Sequence, residues 1–302
     1  MGWSSGLSEA GLILVTGASG FVGGAIVSRL AVSGYDVVAM VRTAEAGSRF
    51  AGAGIPFRKA DYDDREALRD AFAGVDELVL LSSDGYATDV ARHHANAIAV
   101  AAAARVERVV FTSIVDVDRS SPFYFAPVYR DAEQRLAVSG LRTAVARCSL
   151  YSDFVLRNWL APARNAGHFC FPGGGGKVAP ISRSDVAAAI AAIVDDTPAC
   201  GVFEISGGEA LTLDEIADIY SRASQCPVSY AACSAADYLE WASARLEDPW
   251  PHAFATLGVA IEQGRFSHVS PDFLRLVGRG TEPLEAFLSR MEEQHPRDGV
   301  NR

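Results

Sequence analysis

A chain of 302 residues, 49% hydrophobic and 21% charged, has the composition of a globular protein and the length for a nucleotide domain carrying a smaller lobe. Its 37 acidic against 27 basic residues leave a net charge of −10, which repels phosphate polymers and anionic membranes and argues against nucleic acid as a direct partner. Five cysteines without a CxxC spacing argue against a disulfide framework and a structural zinc site; with no leader-like start and no apolar run of about eighteen residues, the expected compartment is the cytoplasm.

Leu12 to Val15 predicts a short buried strand, followed by Thr16-Gly17-Ala18-Ser19-Gly20 and a helix over Phe21 to Leu30 that Gly34 ends. Further strands are expected at Tyr35 to Val41, Ile55 to Ala60, Leu78 to Leu81, Arg108 to Thr112 and Arg142 to Arg147. Helices are expected at Arg65 to Phe72, Thr88 to Arg105 and Val128 to Ser139. Such alternation predicts an α/β fold, a doubly wound parallel sheet of the Rossmann type. Beyond it come a helix from Phe154 to Asn165, the glycine run Gly173 to Gly176, a helix after Ser184, a strand at Val202 to Ile205 and mostly helix from Leu213 onward. The expected division is a nucleotide-binding domain over 9–150, to which 178–206 returns, and a smaller substrate lobe over 151–177 and 207–292.

Gly17, Gly20 and Gly23 fall where the chain must turn tightly, where backbone must approach a pyrophosphate and where the helix must pack on the strand. The helix N-terminus then holds phosphate through free N–H groups and its dipole, with Gly17, Ala18, Ser19, Gly20, Phe21 and Val22 as the cofactor-binding loop. An NAD site offers a carboxylate at the end of the second strand; this chain offers Val41-Arg42-Thr43. Arg42 therefore points to the 2′-phosphate of NADP(H), its alternative being a solvated surface arginine.

These segments resemble an atypical short-chain dehydrogenase/reductase of the NmrA-like group, closest to the type 2 NAD(P)H:quinone oxidoreductases. The likeness rests on Val15-Thr16-Gly17-Ala18-Ser19-Gly20-Phe21-Val22-Gly23, Val41-Arg42, Ala60-Asp61-Tyr62, Leu80-Leu81-Ser82-Ser83 and Phe111-Thr112-Ser113. It continues through Arg147 to Ser152, Gly176-Lys177-Val178-Ala179 and Arg183 to Ala189. The resemblance implies that Asp61 and Tyr62 lie beside the adenine and that Ser82 and Ser83 line the loop over the ribose. Their structural alternatives are a helix N-cap in the acidic cluster, with Asp63 the natural cap, and a turn for the serines. Around the nicotinamide the resemblance places Cys148 to Ser152 and the loop bearing Lys177, so Tyr151 and Lys177 are candidate substrate contacts, against a sealing aromatic and a solvated lysine. Cys148 and Leu150 depart from the relatives' usual residues, so substrate identity does not carry over.

Most short-chain dehydrogenases activate a catalytic tyrosine with a lysine four residues on. Here the pattern runs Tyr129-Arg130-Asp131-Ala132-Glu133, and Lys59 and Lys177 are the only lysines. Tyr129 is thus a candidate proton donor without its usual cation, or a packed aromatic. Reducing an ordinary ketone benefits by roughly 10² to 10⁴ from a positioned acid, whereas the reduced oxyanion of a quinone or enone is delocalised and water protonates it. The expected activity is NADPH-dependent hydride transfer to a quinone, enone or similar conjugated small molecule. The alternative is an NmrA-like redox sensor that binds NADP without turnover and reports to a protein partner. A homodimer is one option for the assembly. No metal is expected, since His93 and His94 are adjacent on a helix and point apart, as surface or packing residues. Cys226 and Cys233 flank a strand-like segment and are expected to be buried.

Overall fold

The structure, a computed structural model, describes residues 11–294. It divides into two compact units; the first runs to Ser113 and takes in Val128–Ala146 and Ala187–Phe203. The second comprises Ile114–Pro127, Arg147–Val186 and the chain from Glu204 onward. The segment 178–206 is therefore shared, with 187–203 in the first unit.

In chain order the elements begin β1 (Ile13–Val15), α1 (Phe21–Val32), β2 (Val37–Val41), α2 (Ala44–Gly52), β3 (Phe57–Lys59), α3 (Arg65–Phe72), β4 (Glu77–Leu80) and α4 (Ala87–Ala103). They continue with β5 (Arg108–Ile114), α5 (Ala126–Val138), β6 (Arg142–Cys148), α6 (Ser152–Val155), a π-helical turn Leu156–Leu160, α7 (Ala161–Ala166), β7 (His168–Phe171), β8 (Lys177–Val178) and α8 (Arg183–Asp195). The last are β9 (Gly201–Ile205), β10 (Leu211–Thr212), α9 (Leu213–Ser224), β11 (Ser229–Ala232), α10 (Ala235–Ser243), α11 (Trp250–Glu262), α12 (Asp272–Val277) and α13 (Leu284–Gln294).

The first unit is built on a seven-stranded sheet in the order β3-β2-β1-β4-β5-β6-β9. Its pairs β1 with β2, β1 with β4, β2 with β3 and β4 with β5 are parallel, and the strand order reverses at β1, as in a Rossmann doubly wound sheet. All residues of β1 and β2 are buried, which is why their sequences are unbroken apolar runs and not alternating ones. Helix α1 buries Gly23, Ile26, Val27 and Leu30, one face at helical spacing, and each fully buried aliphatic side chain contributes about 1.5–3 kcal/mol. Helix α2, absent from the sequence reading, is nine residues long, starts on Thr43 as N-cap and buries only Gly47 and Phe50.

Arg108 on β5 is buried, with its guanidinium 3.0 Å from Glu77 and donating to the carbonyls of Ile193 (2.7 Å), Asp196 (3.2 Å) and Ala199 (2.7 Å). The two terminal nitrogens of the rigid fork satisfy the loose end of α8, and Glu77 offsets a charge that would otherwise be costly to bury, while Nε finds no partner among the described residues.

The second unit packs its own core of Trp159, Leu160, Phe169, Phe171, Leu213, Ile216, Tyr220, Leu257, Ile261, Phe287 and their neighbours. Two small sheets brace it, β7 with β11 in parallel and β8 with β10 antiparallel. The expected single helix over 154–165 is interrupted by the π-helical turn, and the strand-like segment expected between Cys226 and Cys233 is β11. Cys226 and Cys233, expected to be buried, are half-buried on either side of β11, because that strand sits at the margin of its sheet. Among the described residues no helix is long and apolar enough to cross a membrane.

Candidate functional site: a glycine loop on the first unit

The loop after β1 is held from below. Thr16 N–H donates to Val79 O at 3.0 Å, Ala18 N–H to Met40 O at 3.1 Å and Gly20 N–H to Gly17 O at 3.0 Å. Gly17 has φ +58°, a left-handed conformation that favours glycine. A Cβ on Gly23 would stand 2.4 Å from Gly17 O, so this glycine lets α1 close onto the loop. At Gly20 the only neighbour of such a Cβ is Gly17 O, at 3.4 Å, and the space is otherwise open.

Gly20 is also the N-cap of α1 and supplies no side-chain cap, which leaves first-turn N–H groups directed outward. Ser19, Gly20 and Phe21 are exposed, with Phe21 at 58%, while Ala18 is buried and Val22 half-buried. An uncapped helix start behind an open glycine and an exposed phenyl ring fits the pyrophosphate of a dinucleotide.

Beneath the loop, Thr16 Oγ1 accepts from Leu81 N–H at 2.9 Å and lies 2.7 Å from the Tyr62 hydroxyl. That hydroxyl also donates to Leu81 O at 2.6 Å, and its burial pushes the Tyr62 pKa up, so it stays protonated. The Tyr62 ring stacks on His93 at 5.7 Å between centroids. Tyr62 thus ties β1 to the end of β4. Asp61 is exposed and accepts from Asp63 N–H at 3.0 Å. The helix cap expected at Asp63 is Asp64, which accepts from the N–H groups of Glu66 and Ala67. Asp63 instead pairs with Arg92 at 2.7 Å, since its side chain faces α4 and not the open turn of α3.

Ser82 Oγ and His94 Nε2 are 2.9 Å apart, and Ser83 Oγ and His93 Nδ1 are 2.8 Å apart. The two histidines therefore do more than pack: both anchor the serine loop after β4. Burial lowers the His94 pKa to about 4, and the neighbouring His93 adds to the effect, so the ring is neutral. Asp61, Asp63 and His93 bring ligand-type atoms within 4.8 Å of one another, but Arg92 already occupies Asp63.

Arg42 is exposed at the end of β2 and makes no hydrogen bond or ion pair among the described residues. A residue that the sequence reading missed, Arg49 on α2, donates to the Ala18 carbonyl and stacks its guanidinium over Phe50 at 4.6 Å. Its signal is a second arginine in the segment that follows Arg42, legible only once α2 is recognised.

Tyr129 on α5 packs its ring beside His94 (5.6 Å) and Phe111 (6.4 Å), against the core of the first unit. Glu133, one turn on, accepts from Ser113 Oγ at 2.6 Å.

In the second unit, Tyr151 is half-buried at the start of α6, bridged to Ile181 and hydrogen-bonded to Cys148, whose thiol burial pushes up to about 12. Lys177 is exposed on β8, opposite Thr212. Two of the glycines before it serve packing: a Cβ on Gly173 would stand 2.5 Å from the Leu213 side chain and one on Gly176 2.1 Å from Ile261 O. A recess of 470 Å³ is lined by Val115, Asp116, Val117, Asp118, Arg119 and Arg147.

A family model described as the NmrA-like family matches residues 9–249. The chain belongs to the NmrA-like family. It is 33% identical to quinone oxidoreductase 2 of Escherichia coli K12 over 93% of this chain and 98% of that one. The crystal structure of NADPH-dependent quinone oxidoreductase from Escherichia coli in complex with NADPH is 32% identical, has a TM-score of 0.86 and covers 92% of this chain and 99% of that one. Triphenylmethane reductase of Citrobacter sp., complexed with NADP(H), is 27% identical with a TM-score of 0.85 over 92% of this chain and 99% of that one.

Proposed function

We propose that this NmrA-like protein passes hydride from NADPH to a quinone, enone or similar small conjugated acceptor. At the coarser level the chain is an NAD(P)H-dependent oxidoreductase that uses NADP(H), like the reductases it matches over nearly its whole length.

In this proposal Gly17, Ala18, Ser19, Gly20, Phe21 and Val22 hold the pyrophosphate with first-turn N–H groups and the dipole of α1. Arg42 pairs with the 2′-phosphate. Asp61 and Tyr62 stand beside the adenine, and the Ser82-Ser83 loop, steadied by His94 and His93, borders the ribose. Bound NADPH supplies the hydride. The first unit is the cofactor-binding part, and Tyr151 and Lys177 of the second are candidate acceptor contacts.

The observation that carries the acceptor class is Glu133. A carboxylate, hydrogen-bonded to Ser113, occupies the place from which a lysine would acidify Tyr129. Tyr129 then lacks the cation that usually makes it a strong acid for an alkoxide, and an acceptor whose reduced oxygen is delocalised needs no such acid.

The experiment is to mix the protein with NADPH and a panel of quinones and enones and follow oxidation of the cofactor. Saturable oxidation with at least one conjugated acceptor supports the proposal. Tight NADP binding with no oxidation across the panel would leave a sensor in its place.

A further inference from the structure

Strands β7 and β11 pair in parallel with Cys170 directly opposite Ala231. Along β7 the burial alternates, with Phe169 and Phe171 inward and His168 and Cys170 outward. Paired residues share a face, and side chains two apart on a strand share it too. Cys233, two residues after Ala231 and one beyond the end of β11, therefore comes beside Cys170, partly packed against the core of the second unit. The two thiols are near enough for Cys170 to bear directly on the acidity of Cys233. Both are reduced, Cys170 is exposed and Cys233 half-buried.

We propose that Cys170 and Cys233 form a reversible redox pair on the second unit, with Cys170 as the thiol that is oxidised first and Cys233 as the thiol that resolves it.

The division of roles follows from access and acidity. An oxidant in solution reaches Cys170, while burial, the adjoining Cys170 thiol and the nearby carboxylate of Asp237 push the Cys233 thiol up to about 12. Cys233 stays protonated and waits on its neighbour. With a peroxide as oxidant, the Cys170 sulfur attacks one peroxide oxygen, the O–O bond breaks, and Cys170 becomes a sulfenic acid as one water leaves. The Cys233 sulfur then attacks the Cys170 sulfur, the S–O bond breaks, and the thiol proton leaves with hydroxide as a second water. Two thiols and one hydrogen peroxide give one disulfide and two waters. An external dithiol returns the pair to its reduced form.

The bond would fasten β7 to the turn that enters α10, whose N-cap is Ser234. Because β7 leads through Pro172 into the glycine run before Lys177, the oxidised form would tether a strand from which that segment departs. The other three cysteines are placed differently: Cys148 is buried, Cys226 donates to the Arg164 carbonyl at 3.5 Å, and Cys200 is exposed on the first unit.

The full-length native protein, treated with hydrogen peroxide and mapped by mass spectrometry without reduction, tests this. The expected product is a peptide pair joined through Cys170 and Cys233, lighter by two hydrogens and separated again by dithiothreitol. Cys233→Ser should leave Cys170 without a resolving partner, so it accumulates as sulfinic acid or as a mixed disulfide with added glutathione. Reduced Cys170→Ser and Cys233→Ser should melt near the parent temperature and bind NADPH as the parent does, which separates this inference from the reductase assignment. Recovery of Cys170 in the parent protein only as sulfinic or sulfonic acid, or in a bond between two chains, would overturn it. So would a linkage that forms only in denaturant.

Discussion

The hydroxyl of Ser113, at the end of β5, donates to the carboxylate of Glu133 at 2.6 Å. Four residues before Glu133, on the same helix, stands Tyr129, its ring among His94 and Phe111. A negative charge one turn away opposes formation of a phenolate, where a lysine would favour it.

Replacing Tyr129 by Phe should lower kcat by less than about 10²-fold, the lower end expected for an essential acid. Steady-state kinetics with a quinone would measure it, alongside NADPH titration to show that binding is intact. A larger fall with unchanged cofactor affinity would make the tyrosine a true proton donor and restore ketones as substrates.

Arg42→Ala addresses cofactor choice. A hydrogen bond to a charged group contributes about 1.5–3 kcal/mol, so the parent protein should bind NADPH roughly 10- to 100-fold more tightly than NADH, and the variant should lose most of that gap. Because Arg42 is exposed, added salt should narrow the gap in the parent as well. Equal affinities for the two cofactors in the parent would remove Arg42 from the site.

Gly20 and Gly23 should fail in different ways. A methyl on Gly23 meets backbone at 2.4 Å, so Gly23→Ala should cost about 1–3 kcal/mol of stability and lower the melting temperature. Gly20 has open space and an ordinary φ of −76°, so Gly20→Leu should fold with a near-parental melting temperature yet lose NADPH binding, since its side chain covers the loop. A Gly20→Leu protein that binds NADPH normally would refute the pyrophosphate assignment.

His94 should make stability depend on pH. Its folded pKa of about 4 lies below the unfolded value near 6.5, so between these two the unfolded chain binds more protons and stability falls as pH falls. The contribution is fully present above about pH 6.5 and lost by about pH 4, at a scale of about 3 kcal/mol. Denaturant melts of the parent and of His94→Gln across that range would isolate it; parallel pH profiles for the two proteins would refute it.

Where the sequence carried a strong signal, the structure repeats it: β1, the glycine turn and α1 combine a buried apolar run, spaced glycines and helical periodicity. Helix α3 lies where it was expected, but its cap is one position later, because several adjacent aspartates compete for one role and tertiary pairing with Arg92 removes Asp63. Helix α2 left little trace, since Ala44–Gly52 holds two glycines and buries a narrow stripe. The outward alternation of His168 and Cys170 in β7 was present but only four residues long, and its partner lies some sixty residues away. The serine–histidine pairs of the candidate site were invisible for a similar reason: Ser82 and Ser83 look like turn residues, and only the approach of α4 gives them partners.

The setting of Arg108 bears on how the chain is born. Its guanidinium waits for carbonyls 85 to 91 residues downstream, on Ile193, Asp196 and Ala199. As synthesis proceeds, β1 to β5 emerge with a cation that has Glu77 but not yet its carbonyl acceptors, and burying it with most of its donors unmet is costly. The nascent first unit therefore stays open at this corner until the chain past Ala199 has left the ribosome. A gene fragment stopping after β6 would leave this cation with Glu77 and without its carbonyl partners, so the first unit is a poor choice for expression as an isolated N-terminal piece.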